Sequence, residues 1–153
     1  MSCNWDVCAL ARSVECVPGI GVYSCDANSS NIFAALRSSD LHILDTQLNR
    51  ICVVPDCHQG KTPKCVRSRG DALFASVGND RSLRIGDVRC ALDAVAVVPE
   101  LHRLAINHVA WNPVDDCKLL TSSFDGNIHV VDVRLPQRPC CSVRANNKVN
   151  APA

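Results

Sequence analysis

His102, Ser122, Ser123 and Asp125 place an imidazole, two hydroxyls and a carboxylate within one short stretch of chain. Such groups can form a proton relay in which the imidazole takes a hydroxyl proton and the carboxylate steadies the charged ring. No Gly-x-Ser-x-Gly elbow presents either serine, and a triad is defined by geometry rather than composition. A structural role, buckling a loop onto a turn, is the stronger reading. A second cluster is Cys52-Val-Val-Pro-Asp-Cys57-His58, with Cys65 beyond it. Its four-residue gap suits thiolate ligands, but no Cys-x-x-Cys pair follows to close a tetrahedral zinc site. No metal is expected. Gly60-Lys61-Thr62 ends like a phosphate loop, yet Pro55 stands where that loop requires glycine. His-Glu-x-x-His, Gly-x-Gly-x-x-Gly and carboxylate pairs with separated environments are absent from the sequence. The expectation is no enzyme and no cofactor.

The elements that position these residues repeat. From Val109 to Asp132 the chain reads as a strand His108–Trp111, a polar turn, a strand Lys118–Ser123, an Asp125-Gly126 turn and a strand Asn127–Val131. The Asp-Gly pair suits a tight hairpin, because such turns need positive φ. The same plan runs from Val22 to Asp45, with strands Asn31–Leu36 and Leu41–Leu44. It runs again from Val66 to Asp87, with strands Ala72–Val77 and Ser82–Ile85. A fourth strand is expected after each third strand, at Arg50–Val54, Ala94–Val98 and Cys141–Arg144. A partial earlier copy surrounds Trp5-Asp6. Asp6, Asp45, Asp87 and Asp132 then stand 39, 42 and 45 residues apart. Helical periodicity is absent, and four-stranded units at this period predict propeller blades.

These residues resemble the WD-repeat β-propeller family. Trp5-Asp6 matches its signature dipeptide, while Leu44-Asp45, Gly86-Asp87 and Val131-Asp132 keep only the acid. The resemblance runs from about residue 5 to 139 and implies an all-β partial propeller. Three four-stranded blades, at about 22–57, 58–101 and 102–144, follow an N-terminal half blade at about 5–21. The propeller is placed at 1–139, with a flexible tail at 145–153. The family's blades carry a His, hydroxyl, Asp and Trp network. Here it implies His102, Ser122 or Ser123, and Asp125 in the third unit, with Val131 in the Trp position. His58 and Asp80 correspond in the second unit, and Asp40 alone in the first.

The resemblance implies a non-catalytic scaffold for other proteins, most like histone-binding WD chaperones or the WD receptor for a peroxisomal targeting signal. The alternative is a substrate receptor of a cullin-type ubiquitin ligase. In that reading Asp87-Val88-Arg89 and Asp132-Val133-Arg134 resemble the end of the box that docks the ligase adaptor, with Arg89 and Arg134 as docking residues. Lys61, Lys64, Arg67 and Arg69 form a basic stretch without an intervening acid. It is expected in the loop and first turn of the second unit, either as solvated charge or as a patch for an acidic partner.

Composition sets the outer limits. The 153 residues carry 16 Lys and Arg against 15 Asp and Glu, a net charge of +1. That balance argues against a dominant nucleic-acid or membrane surface. Hydrophobic residues at 47% and charged residues at 20% allow a core and exclude compositional disorder. No apolar run reaches the roughly 18 residues of a membrane span, and the opening residues lack a signal-peptide layout. Eleven cysteines, an odd number, read as reduced, mostly buried thiols in the cytoplasm or nucleus. At roughly 40 to 45 residues per blade, the length holds roughly three and a half blades, fewer than the usual closed ring. The chain is therefore expected to be a fragment, a truncated product, half of a split propeller or a self-associating domain. In isolation it is expected to be poorly soluble or oligomeric.

Overall fold

The computed structural model describes residues 17–90 and 94–145. Twelve strands form three four-stranded antiparallel sheets, and no helix occurs among the described residues. The first sheet holds β1 (Val22–Ala27), β2 (Asn31–Leu36), β3 (Leu41–Asp45) and β4 (Arg50–Val54). The second holds β5 (Pro63–Arg69), β6 (Leu73–Gly78), β7 (Leu83–Asp87) and β8 (Ala94–Val98). The third holds β9 (Ile106–Trp111), β10 (Lys118–Ser123), β11 (Asn127–Asp132) and β12 (Cys141–Arg144). Spatial order follows chain order in every sheet. The partial copy around Trp5 and Asp6 lies outside the described residues.

The sheets form because each central strand alternates or runs apolar over five or six residues and ends in turn chemistry. Pairing fixes the equivalences between sheets. Ala34 lies opposite His42, Ser76 opposite Arg84, and Thr121 opposite His129. One register therefore recurs three times. The turn between second and third strands needs a left-handed residue, supplied by Ser39, Arg81 and Gly126 at φ of 79°, 65° and 80°. Only glycine takes that conformation without steric cost.

Stacking buries opposite faces of neighbouring sheets. Phe33, Ala35, Leu41 and Ile43 of the first sheet form one core with Val66 and Phe74 of the second. Ala75, Val77, Leu83 and Ile85 form the other with Val109, Leu119 and Val131 of the third. Each fully buried Val, Leu, Ile or Phe among them stabilises the stack by about 1.5–3 kcal/mol before entropy is counted. The first strands β1, β5 and β9 lie beside one another, whereas the fourth strands make no comparable contact with a neighbouring sheet. The sheets thus radiate outward from their first strands.

Polar ties fix the stacking angle. Asp26 Oδ2 accepts from Ser68 N at 2.6 Å and from Ser68 Oγ at 2.7 Å, and Asn28 Nδ2 donates to Gly70 O at 2.9 Å. Between the second and third sheets, Trp111 Nε1 donates to Arg67 O at 3.0 Å. The corresponding face of the third sheet is open: Leu120, Ile128 and Val143 are exposed there.

Candidate functional site

Among the described residues two His, hydroxyl and Asp networks occur, one in each of the second and third units. His102 precedes β9, and its Nδ1 lies 3.1 Å from Asp125 Oδ2 in the β10–β11 turn. Its Nε2 lies 2.9 Å from Thr121 Oγ1 in mid-strand. Asp125 also accepts from the backbone N–H groups of Arg103 and Asn127, both at 2.9 Å. In the second unit His58 Nδ1 lies 2.8 Å from Asp80 Oδ1, and Nε2 lies 3.1 Å from Ser76 Oγ. Ser82 Oγ also donates to Asp80. Each network ties the segment entering a sheet to the sheet's central hairpin.

The hydroxyl of the third unit is Thr121, which corrects the expectation of Ser122 or Ser123. Strand alternation is the reason: Thr121 shares its face with His129, while Ser122 faces the opposite way beside His108 and Ile128. Ser123 sits past a register shift and donates to Leu104 O and Ala105 O instead. The first unit also differs. Register places Ala34 where Ser76 stands and Ser38 where Asp80 stands, so Asp40 falls at the Ser82 position. Asp40 instead accepts from Ser38 Oγ at 2.8 Å and from Asp56 N at 3.0 Å. Spacing held the signal, since a hydroxyl stands four residues before the Asp in both complete networks.

Burial opposes Asp80 ionisation, yet hydrogen bonds from His58 and Ser82 outweigh it and hold the carboxyl below its ordinary range. Asp125 is likewise raised by burial, but the Arg103 and Asn127 amides and His102 bring it down. Connectivity in each network matches a proton relay, with Asp on one ring nitrogen and hydroxyl on the other. Ser76 and Thr121 are only 1% exposed, so neither hydroxyl can meet a substrate. These networks are suited to holding loops rather than to turnover.

The three acids closing the third strands also cap turns. Asp87 accepts from Arg89 N at 2.9 Å and from its guanidinium, at 2.6 Å for Nη2. Asp132 repeats this with Arg134, at 2.9 Å from the backbone and 2.5 Å from Nη2. Arginine hydrogen bonds hold both carboxyls down at about 2. Asp45 accepts from Gln47 N and Asn49 N at 2.8 Å each, with Asn49 Nδ2 in the place of a guanidinium. Asp6 lies outside the described residues. Arg89 and Arg134 remain 73% and 66% exposed despite their pairing.

The basic stretch does not occupy a loop and turn as expected. Lys64, Arg67 and Arg69 lie on β5, and only Lys61 precedes it. Long cationic side chains fit this inner strand because the neighbouring sheets supply partners. Lys64 Nζ lies 4.2 Å from the Tyr23 ring centroid. Arg67 donates to Val66 O at 2.8 Å and lies 3.1 Å from His108 Nε2. Arg69 pairs with Asp116. The cysteines weighed and set aside as zinc ligands are dispersed: Cys52 and Cys57 belong to the first core and Cys65 to the second. Among the described residues no group of three His, Cys, Asp or Glu is placed to hold a metal. Burial pushes the Cys57 thiol up to about 12, which makes it a poor nucleophile and ligand.

A polar cleft of about 570 Å³ opens beside the His102 network, at the junction of the second and third sheets. Arg81, Arg103 and Arg144 line it, and sequence reasoning had singled out none of them. They come from a turn, a connection and an outer strand, so no local pattern joins them.

Four-stranded sheets radiating from their first strands, with a turn-capping Asp after each third strand, define blades of a β-propeller. No family model matches the chain. A 61-residue stretch is 38% identical to the WD-40 repeat-containing protein MSI4 of Arabidopsis thaliana. That stretch is 40% of this chain and 12% of the relative's length. The fold superposes on a chain of the mitotic checkpoint complex crystal structure with a TM-score of 0.76 at 19% identity. The match covers 87% of this chain and 40% of that one. The three sheets are blades of a partial β-propeller, and a 61-residue stretch of the chain is similar to a WD-40 repeat protein.

Proposed function

We propose that this chain is a non-enzymatic scaffold that holds other proteins on the loops and edges of its blades. The supporting observation is the burial of both His, hydroxyl and Asp networks: groups able to do chemistry are used to hold loops, leaving surface as the working part. The structural relative comes from a multiprotein complex, which is in keeping with this reading. The more specific roles are binding of histones in chromatin complexes or recognition of a targeting-signal peptide. The reducing cytoplasm or nucleus belongs to the same proposal, supported by described cysteines that stand as free thiols. Titration of the purified chain with core histones and with targeting-signal peptides tests these roles. Saturable binding to one of them is expected; silence toward both removes the specific roles. Robust turnover of any substrate with no protein partner would overturn the scaffold reading itself.

The ligase-receptor reading has its own support in the exposure of Arg89 and Arg134 beside their acids. Each is held in a fixed pose that leaves most of the side chain open to a docking surface. Replacing both with alanine is expected to abolish adaptor co-purification. Survival of that interaction in the double variant would eliminate this role.

A further inference from the structure

The cleft between the second and third sheets has a distinct chemistry. Arg81 occupies the left-handed turn position that Gly126 fills in the third sheet, which places an arginine at the cleft where its counterpart has no side chain. Its guanidinium donates to Glu100 Oε1 at 2.8 Å, and Glu100 is 74% exposed. Arg103 is held in place through its backbone N–H, which donates to Asp125 at 2.9 Å. Arg103 and Arg144 form no ion pair among the described residues. The second acid in the lining, Asp125, is 5% exposed and fully engaged by His102 and two backbone amides. His129 stacks on the buried His102 ring with centroids 4.0 Å apart.

Three cations thus line the space against one acid that solvent can reach, and that acid covers one of the three. We propose that this cleft binds an acidic peptide segment of a partner protein, with Glu100 as an internal competitor for Arg81. The proposal rests on the scaffold reading and names the chemistry of one of its contacts. Size favours a peptide over a lone oxyanion. About 570 Å³ lies within the roughly 300–1,000 Å³ typical of ligand clefts and greatly exceeds one phosphate. The arginines also come from three separate elements, which suits several carboxylates along an extended chain. Planar guanidinium forks pair well with carboxylates.

The test titrates the purified chain with a blocked oligoglutamate peptide, an oligoglutamine control and inorganic phosphate. Oligoglutamate is expected to bind with an affinity that falls as salt rises, because exposed pairs are screened. Glu100→Gln is expected to tighten that binding about two- to threefold by freeing Arg81. Arg103→Ala and Arg144→Ala are each expected to weaken it about three- to fivefold, the upper part of the range for exposed charge pairs. The Glu100→Gln gain cannot be mimicked by misfolding. Absence of that gain, or phosphate binding while oligoglutamate is silent, overturns the proposal. Such a failure leaves the scaffold reading intact, since histone and signal-peptide titrations test that reading separately.

Discussion

Phe74 and Gly86 face each other across β6 and β7, and the Phe74 ring fills the space that a Cβ on Gly86 would enter. Gly86 stands where the resemblance to WD repeats places a tryptophan, and the Phe74 ring of the neighbouring strand occupies that space. The equivalent pairs are Ile32 with Leu44 and Leu119 with Val131. Only the second unit pairs an aromatic ring with a glycine at this position, and its Phe74 ring reaches Phe33 at 5.3 Å between centroids.

Gly86→Ala is expected to destabilise the fold by about 1–3 kcal/mol, because a methyl group forced against a packed ring costs that much. Combining it with Phe74→Leu is expected to recover part of the loss. Urea unfolding of the two single variants and the double variant measures the coupling. Strict additivity would show that the two positions do not share this space.

Thr121→Val is expected to cost about 1–3 kcal/mol, because it leaves a buried histidine nitrogen without its partner. Ser122→Ala is expected to fall within about 0.5 kcal/mol, as for an ordinary surface change. Urea midpoints for the two variants separate the network hydroxyl from its neighbour. Equal losses would refute the assignment.

The sequence made the strands legible and the side-chain partners much less so. Expected and observed bounds coincide for β2, β4, β8, β10 and β12, since apolar runs and turn residues are local signals. The acids Asp45, Asp87 and Asp132 were legible through their period. Thr121 was missed in favour of Ser122 or Ser123 because strand phase decides which of three adjacent hydroxyls turns inward. β5 was missed as the carrier of Lys64, Arg67 and Arg69 because charge on an inner strand is tolerated only with partners from other sheets. Tyr23, His108 and Asp116 are distant in sequence. The same distance hides the Arg81, Arg103 and Arg144 cleft.

Acid should weaken the fold through Asp87 and Asp132. Arginine hydrogen bonds hold both down to about 2 in the folded chain, below the roughly 3.9 of a free aspartate. A carboxyl with a depressed folded pKa binds fewer protons than its unfolded counterpart, so stability rises with pH across that interval. Their contribution is present above about pH 4 and is lost as pH falls toward about 2. Urea midpoints across this range are expected to drop for the parent chain, and less steeply for the Arg89→Ala, Arg134→Ala double variant. Identical slopes would remove these pairs as the cause.

His129 and His42 act at milder pH. Burial lowers both below the ordinary histidine value, and His42 Nδ1 and His129 Nδ1 are buried without a hydrogen-bond partner. Each unfolded imidazole takes up a proton at about pH 6.5, before the folded one does. Stability is therefore complete above about pH 6.5 and declines below it. Replacing both residues with glutamine is expected to flatten the pH dependence of the melting temperature between about pH 7 and pH 5.5. An unchanged profile would show that other groups titrate there.

The open face of the third sheet should govern self-association. Leu120, Ser122, Ile128 and Val130 occupy the register positions of Ala75, Val77, Leu83 and Ile85, which the third sheet buries, and of Phe33, Ala35, Leu41 and Ile43, which the second sheet buries. The same face that is covered twice is thus exposed once, at 38% for Leu120 and 37% for Ile128. Apolar surface of this kind drives association in proportion to the area it removes from water. Light scattering is expected to find the chain oligomeric, and Leu120→Lys with Ile128→Lys is expected to shift it toward monomer. Those substitutions lie on the solvent side of β10 and β11, so the cores stay intact and a cooperative melt should persist. An unchanged mass distribution would place the self-association on another surface.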